Sequence, residues 1–164
     1  LVKILYTGVH MKKFLYLGVS VLLLLSLAAT AFASDEKEAV RDRLKDVLFE
    51  YKDAYNLRDF DAIRTLYSTN ATVKSFPCDS KEDLEFENFS GILPQCASYW
   101  VDQAFKLRLF KFTSFELNGK TCTVRVLWDY RDNSGRGKFT PTFEFVLDGD
   151  KWKISKETYG RNPS

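Results

Sequence analysis

Histidine is all but missing from this chain. The one copy, His10, lies upstream of Met11 and outside the part that reads as a folded domain. A Ser-His-Asp or Cys-His site therefore cannot be assembled within that domain. Histidine-based zinc sites are excluded with it, and Cys78, Cys96 and Cys122 are too widely spaced to make a metal set. Neither a metal nor another cofactor is expected. Internal repeats, low-complexity tracts and a second domain are absent from the pattern. A basic excess is lacking too, once the N-terminal segment is set aside. Taking away residues 1–33 removes three lysines and no acid, leaving 21 Lys+Arg against 22 Asp+Glu. The net charge becomes about −1 in place of +2. Nothing in that balance points to nucleic acid or to an anionic membrane surface.

What is present begins with an export signal. Lys12 and Lys13 follow Met11, and Phe14 to Ala29 carries no charge and is dominated by Leu, Val and Ala. Ala31-Phe32-Ala33 then supplies a small-x-small pattern before Ser34. The apolar run of roughly 16 residues is short for a membrane span of about 20. Residues 11–33 are therefore predicted to be a secretory signal peptide cleaved between Ala33 and Ser34. The domain is then periplasmic or secreted, touching a membrane only through this transient signal. Residues 1–10 read as an upstream extension outside the fold, and residues 34–164 as one domain of ordinary size. After export the cysteines meet an oxidising compartment. Cys78 and Cys96 flank an irregular polar stretch, so a disulfide closing that loop is expected, with other pairings left open. Cys122 lies on the apolar face of a strand and reads as a small buried hydrophobe.

Residues 36–57 predict a long amphipathic helix. Val40, Leu44, Val47, Leu48, Tyr51, Ala54 and Tyr55 recur at spacings of three and four, with charges opposite. Ser34 and Asp35 offer N-capping chemistry. Arg58-Asp59 breaks the pattern, and Asp59 suits the N-cap of a short second helix with Ala62, Ile63, Leu66 and Tyr67 inward. Ser68-Thr69-Asn70 is expected to end it. Ala71 to Phe76 reads as a short strand. Residues 78–97 read as a long loop or a poorly marked helix, and Tyr99 to Lys106 as a helix carrying Trp100, Ala104 and Phe105 inward.

Four strand-like runs follow: Leu107–Leu117, Thr121–Arg131, Lys138–Leu147 and Lys151–Thr158. Asn118-Gly119 marks a tight turn, Asp132 to Gly137 a longer polar loop, and Asp148-Gly149-Asp150 another turn. Alternation puts Cys122, Val124, Val126, Trp128 and Tyr130 on one face of the second run. Phe139, Pro141, Phe143, Phe145 and Leu147 share a face in the third, and Trp152 and Ile154 in the fourth. The pattern predicts an α+β fold with N-terminal helices packed on the apolar face of an antiparallel meander.

The stretch Tyr51-Lys52-Asp53-Ala54-Tyr55-Asn56-Leu57-Arg58-Asp59-Phe60-Asp61-Ala62-Ile63-Arg64-Thr65-Leu66-Tyr67 resembles the first two helices of the NTF2-like superfamily, in its SnoaL-like or ketosteroid-isomerase-like branch. Leu147-Asp148-Gly149-Asp150-Lys151-Trp152-Lys153-Ile154 resembles its closing hairpin. The resemblance implies an exported bacterial member with a cone-like fold, also called cystatin-like. In such a fold a strongly bent antiparallel sheet wraps helices around a ligand-binding cavity, and dimers through the sheet are common. Fold alone does not settle function. Asp59 and Asp61 read first as helix-start residues. Tyr51, Tyr55, Tyr99, Trp100, Trp128 and Tyr130 are the candidate cavity lining, with core packing the plainer role for each.

Three functions fit this pattern. The favoured one is non-catalytic binding of a small apolar or aromatic ligand, or of a protein partner. The second is an isomerase, dehydratase or cyclase using a buried carboxylate and a tyrosine. For that the apolar strand faces offer no acid. Asp53 sits beside the inner stripe of its helix, Asp102 in a segment of open orientation, and Asp129 on the opposite strand face. The third is an assembly role, with a homodimer formed through the polar sheet face around Thr121, Thr123, Arg125 and Leu127.

Overall fold

A computed structural model describes residues 34–74 and 83–160, without the side chain of Tyr99. The expected signal peptide and Cys78 lie outside the described residues. Among those described, no helix is long and apolar enough to cross a membrane. The chain divides into two compact units, Leu1–Val40 and Arg41–Ser164. Of the first, residues 34–40 are described and are helical.

Helix α1 (residues 34–57) buries Leu44, Leu48, Tyr51, Ala54 and Tyr55, the stripe its sequence predicts. Ser34 and Asp35 are already helical, so they do not cap it. The helix stops at a left-handed residue, Arg58, with φ of 62°. Asp59 N–H donates to the Ala54 carbonyl at 3.0 Å and Arg58 N–H to that of Tyr55 at 3.3 Å, the paired closing bonds of a Schellman motif. The non-glycine φ is held because the Arg58 guanidinium donates to the carbonyls of Tyr55 and Phe105 and lies 5.6 Å from the Trp100 ring centre. Asp59 then caps α2 (Phe60–Thr65), accepting from Ala62 N–H at 2.9 Å.

Strand β1 (Tyr67–Lys74) starts where the second helix was expected to continue, so Tyr67 is a strand residue. After the two-residue β2 (Leu84–Glu85), the stretch read as irregular is helix α3 (Phe86–Asp102). Its buried positions Phe89, Leu93, Cys96 and Trp100 keep helical spacing. Gly91 and Pro94 disguise it, and Pro94 is tolerated on an exposed side. The helix ends at Asp102, through a second left-handed residue, Ala104, so Lys106 belongs to the sheet.

The meander is β3 (Lys106–Asn118), β4 (Thr121–Asp132), β5 (Gly135–Phe139), β6 (Thr142–Asp148) and β7 (Lys151–Thr158). The expected third run is two strands, broken at Thr140-Pro141, and the expected polar loop is a short turn around Asn133-Ser134. Proline cannot donate, yet the Pro141 carbonyl still accepts from Val126 N–H at 3.0 Å. Spatial order is β2-β1-β7-β6-β4-β3, with β5 on the β6 side of β4. All pairs are antiparallel except β1 with β7, so the sheet is mixed, not purely antiparallel. Cys122, Val124, Val126 and Trp128 are buried as expected, against Phe143, Phe145, Trp152 and Ile154.

Gly137 fixes one corner of the core. A Cβ there would lie 2.3 Å from the Tyr130 ring, so the ring can cross β5 only over glycine. Gly137→Ala is expected to cost about 1–3 kcal/mol in urea unfolding, as overpacking does. Most of that cost should vanish in a Tyr130→Ala background, a coupling that a double-mutant cycle reads directly.

Candidate functional site

Strand β7 does not alternate to its end. Glu144 pairs with Lys156 but the next β6 residue, Phe145, pairs with Ile154. Two steps on β7 thus oppose one on β6, a bulge at Ser155. The bulge reverses the faces beyond it. Lys156, which strict alternation would send into the core behind Trp152 and Ile154, turns outward and meets Glu144 at 2.6 Å. Glu157 turns inward and is fully buried, the one charged residue in the buried core of the described chain.

Three tyrosine hydroxyls close on its carboxylate. Tyr51 on α1 donates to Oε1 at 2.6 Å, Tyr159 just past β7 donates to the same oxygen, and Tyr67 on β1 donates to Oε2. The hydroxyls of Tyr51 and Tyr159 are themselves 3.0 Å apart. The Tyr51 ring stacks on Tyr55 at 4.3 Å and on Trp128 at 5.8 Å, and meets the edge of Phe143 at 5.4 Å. Burial pushes the Glu157 carboxyl upward, and the three hydroxyls pull it only part of the way back. Burial, reinforced by the nearby carboxylate, raises Tyr51, Tyr55, Tyr67 and Tyr159 well above the usual phenol range. These hydroxyls therefore stay protonated and act as donors at neutral pH.

Two buried donors beside this cluster are left over. Trp128 Nε1 has no hydrogen-bond partner, Tyr55 Oη makes no bond of ordinary geometry although the Tyr51 and Tyr67 hydroxyls lie beside it, and both rings stack on Tyr51. A buried polar group without a partner costs about 1–3 kcal/mol, so such a pair calls for an acceptor.

The expected lining residues separate into groups. Tyr51, Tyr55 and Trp128 meet, and Trp100 joins through Tyr55 at 5.2 Å. Tyr130 is half-buried, stacks on Phe105 and meets Phe139 at a tilt, the latter reaching Tyr159 at 5.9 Å. The side chain of Tyr99 lies outside the description. Asp53 and Asp102 are both exposed; Asp53 pairs with Lys52 at 3.3 Å. The carboxylate facing the interior is Glu157. Sequence reasoning missed it, together with Tyr67 and Tyr159. One signal was available: continued alternation would have buried Lys156, whereas a slip by one buries Glu157 and Tyr159 with tyrosines to receive them.

Because the folded carboxyl is raised, the folded state holds its proton more tightly than the unfolded chain does. Stability is then fullest below the ordinary glutamate range and declines as pH climbs through the raised value. Urea titrations should show that decline in the wild type and lose it in Glu157→Gln. Tyr51→Phe and Tyr67→Phe should each cost about 1.5–3 kcal/mol, the worth of a bond to a charged acceptor, while Tyr55→Phe should be neutral or stabilising.

No family model and no curated protein matches the sequence. Solved structures do. A Nostoc punctiforme protein of unknown function with a cystatin-like fold aligns at TM-score 0.60 and 10% identity, over 76% of this chain and 92% of that one. An NTF2-like protein of unknown function from Shewanella oneidensis aligns at 0.58 and 17%, over 72% and 96%. Another from Pseudomonas putida aligns at 0.61 and 13%, over 76% and 88%. At these identities the likeness concerns architecture alone: helices followed by a strongly curved mixed sheet, the NTF2-like or cystatin-like α+β cone fold.

Proposed function

We propose that the chain is an exported, non-catalytic binding module whose interior takes a small ring-bearing ligand with a hydrogen-bond acceptor such as a carbonyl oxygen. The observation that carries this reading is the pair of buried donors not satisfied by a bond of ordinary geometry, Trp128 Nε1 and Tyr55 Oη. Aromatic walls with a few fixed polar groups suit such a ligand. The enzymatic alternative draws support from a buried carboxyl beside tyrosine hydroxyls, a pairing that acid–base chemistry uses. Yet a general base needs a lone pair aimed at the substrate proton. Both Glu157 oxygens are already engaged by tyrosines from α1, β1 and the segment just past β7, which favours binding over turnover. Export, with Ser34 as the mature N-terminus and a Cys78–Cys96 disulfide, belongs to the same proposal.

A panel of small cyclic ketones and phenols, screened by quenching of tryptophan fluorescence, tests the interior site. A binder is expected, weakened about fivefold by Tyr55→Phe, the worth of one neutral hydrogen bond. A panel without binders, together with ligand-free protein in native mass spectra from the original host, would sink the reading. Turnover of a bound ketone, abolished by Glu157→Gln, would replace it with the enzymatic one. N-terminal sequencing and non-reducing peptide mapping of the same preparation check Ser34 and the cysteine pair.

A further inference from the structure

The sheet face turned away from the core carries an unbalanced charge. Lys106 pairs with Arg131 across β3 and β4, and Arg131 pairs with Arg136 across β4 and β5. Their neighbours on the inner side, Leu107 and Tyr130, point to the core, so all three cations project outward and are exposed. Like charges directly opposite one another destabilise a sheet. Here three stand abreast. Lys138, Lys111 and Arg125 continue the patch in the following rows. None of the six makes an ion pair among the described residues. Asp129 is the acid among these rows; Glu116 and Glu144 flank Thr123 in the row beyond Arg125, the latter paired with Lys156, and Asp132 at the other end is occupied by its own turn, accepting from Ser134 and Gly135. Leu109, 66% exposed, sits in the row between Lys106 and Lys111.

We infer that this outer face docks on an anionic phospholipid bilayer, against the expectation from net charge that the domain meets a membrane only through its export signal. A near-neutral domain that concentrates self-repelling cations on one face has a charge pattern complementary to a polyanion. The exposed leucine among them suits the headgroup boundary of a bilayer. Single-stranded nucleic acid fits less well, because it is held by stacking on aromatic rings. The phenylalanines of β3 pair with the inward residues Trp128, Val126 and Val124, so they lie on the opposite face. A second copy seated here about a two-fold axis would set cations against cations.

The test uses protein recovered from its native host after whatever processing it undergoes there. Binding is measured to vesicles of phosphatidylcholine with phosphatidylglycerol, and to phosphatidylcholine alone. Arg131→Glu with Arg136→Glu is compared with a control of equal charge change, Arg43→Glu with Lys151→Glu. Binding to the anionic vesicles alone is expected, falling as salt rises. The patch variant should lose at least about 25-fold, roughly fivefold for each cation removed, and the control less than about twofold. Arg131→Glu by itself should raise the melting temperature by relieving the repulsion, so that weaker binding is not misfolding. Equal binding to both vesicle types, equal loss in the two double variants, or tighter binding to single-stranded RNA than to anionic vesicles each overturns the inference.

Discussion

The structure depends on how one buried carboxylate is accommodated. Glu157 reaches the interior through the Ser155 bulge and is held by hydroxyls from α1, from β1 and from the residue two beyond it. An uncompensated buried charge is among the most costly groups a core can contain. Each tyrosine must therefore be in position for the others to be worthwhile, and the cluster couples helix to sheet more specifically than apolar contact does. The rings that bring those hydroxyls in also pack Tyr51 against Tyr55, Trp128 and Phe143. The polar centre and the apolar core are the same side chains.

Much of the architecture was legible in the sequence, and the places where reading failed have physical causes. The α1 stripe, the Asp59 cap and the inner faces of β4 and β6 followed periodicity because each segment is regular along its length. Helix α3 was obscured by Gly91 and Pro94, residues that usually mark breaks but here sit on its exposed side. Tyr67 read as the inner side of a helix because it stands four residues after Ile63, while the chain turns into β1 after one short helix. The candidate site was half legible. Aromatic positions on regular elements were found, but Glu157 was not. An extra residue in one strand shows only as a lysine on the apolar face, and its position is set by pairing with β6.

Helix ends do quiet work in this fold. Arg58 and Ala104 both adopt left-handed backbone, and each closes a helix just before the chain enters a different layer. The Arg58 guanidinium reaches the Phe105 carbonyl beside the second of these turns. The Asn56 amide exchanges two hydrogen bonds with the Leu107 backbone, at 2.8 and 2.9 Å, standing in for a neighbouring strand at the start of the β3 edge. Together these contacts fix where α1 lies against β3 and set the position of the tyrosines.

The parallel pairing of β1 with β7 fixes an order of assembly. The last strand described is not peripheral: it lies between β1 and β6. The hydrogen bonds that settle its carboxylate span 106 residues to Tyr51 and 90 to Tyr67. Contacts of that range form late, since the intervening chain must lose its freedom before they return any stability. A nascent chain that has released α1 through β6 from the ribosome still has a gap in its sheet, and Tyr51 and Tyr67 are still without their acceptor. The domain becomes a folded object only when its final strand is free to enter.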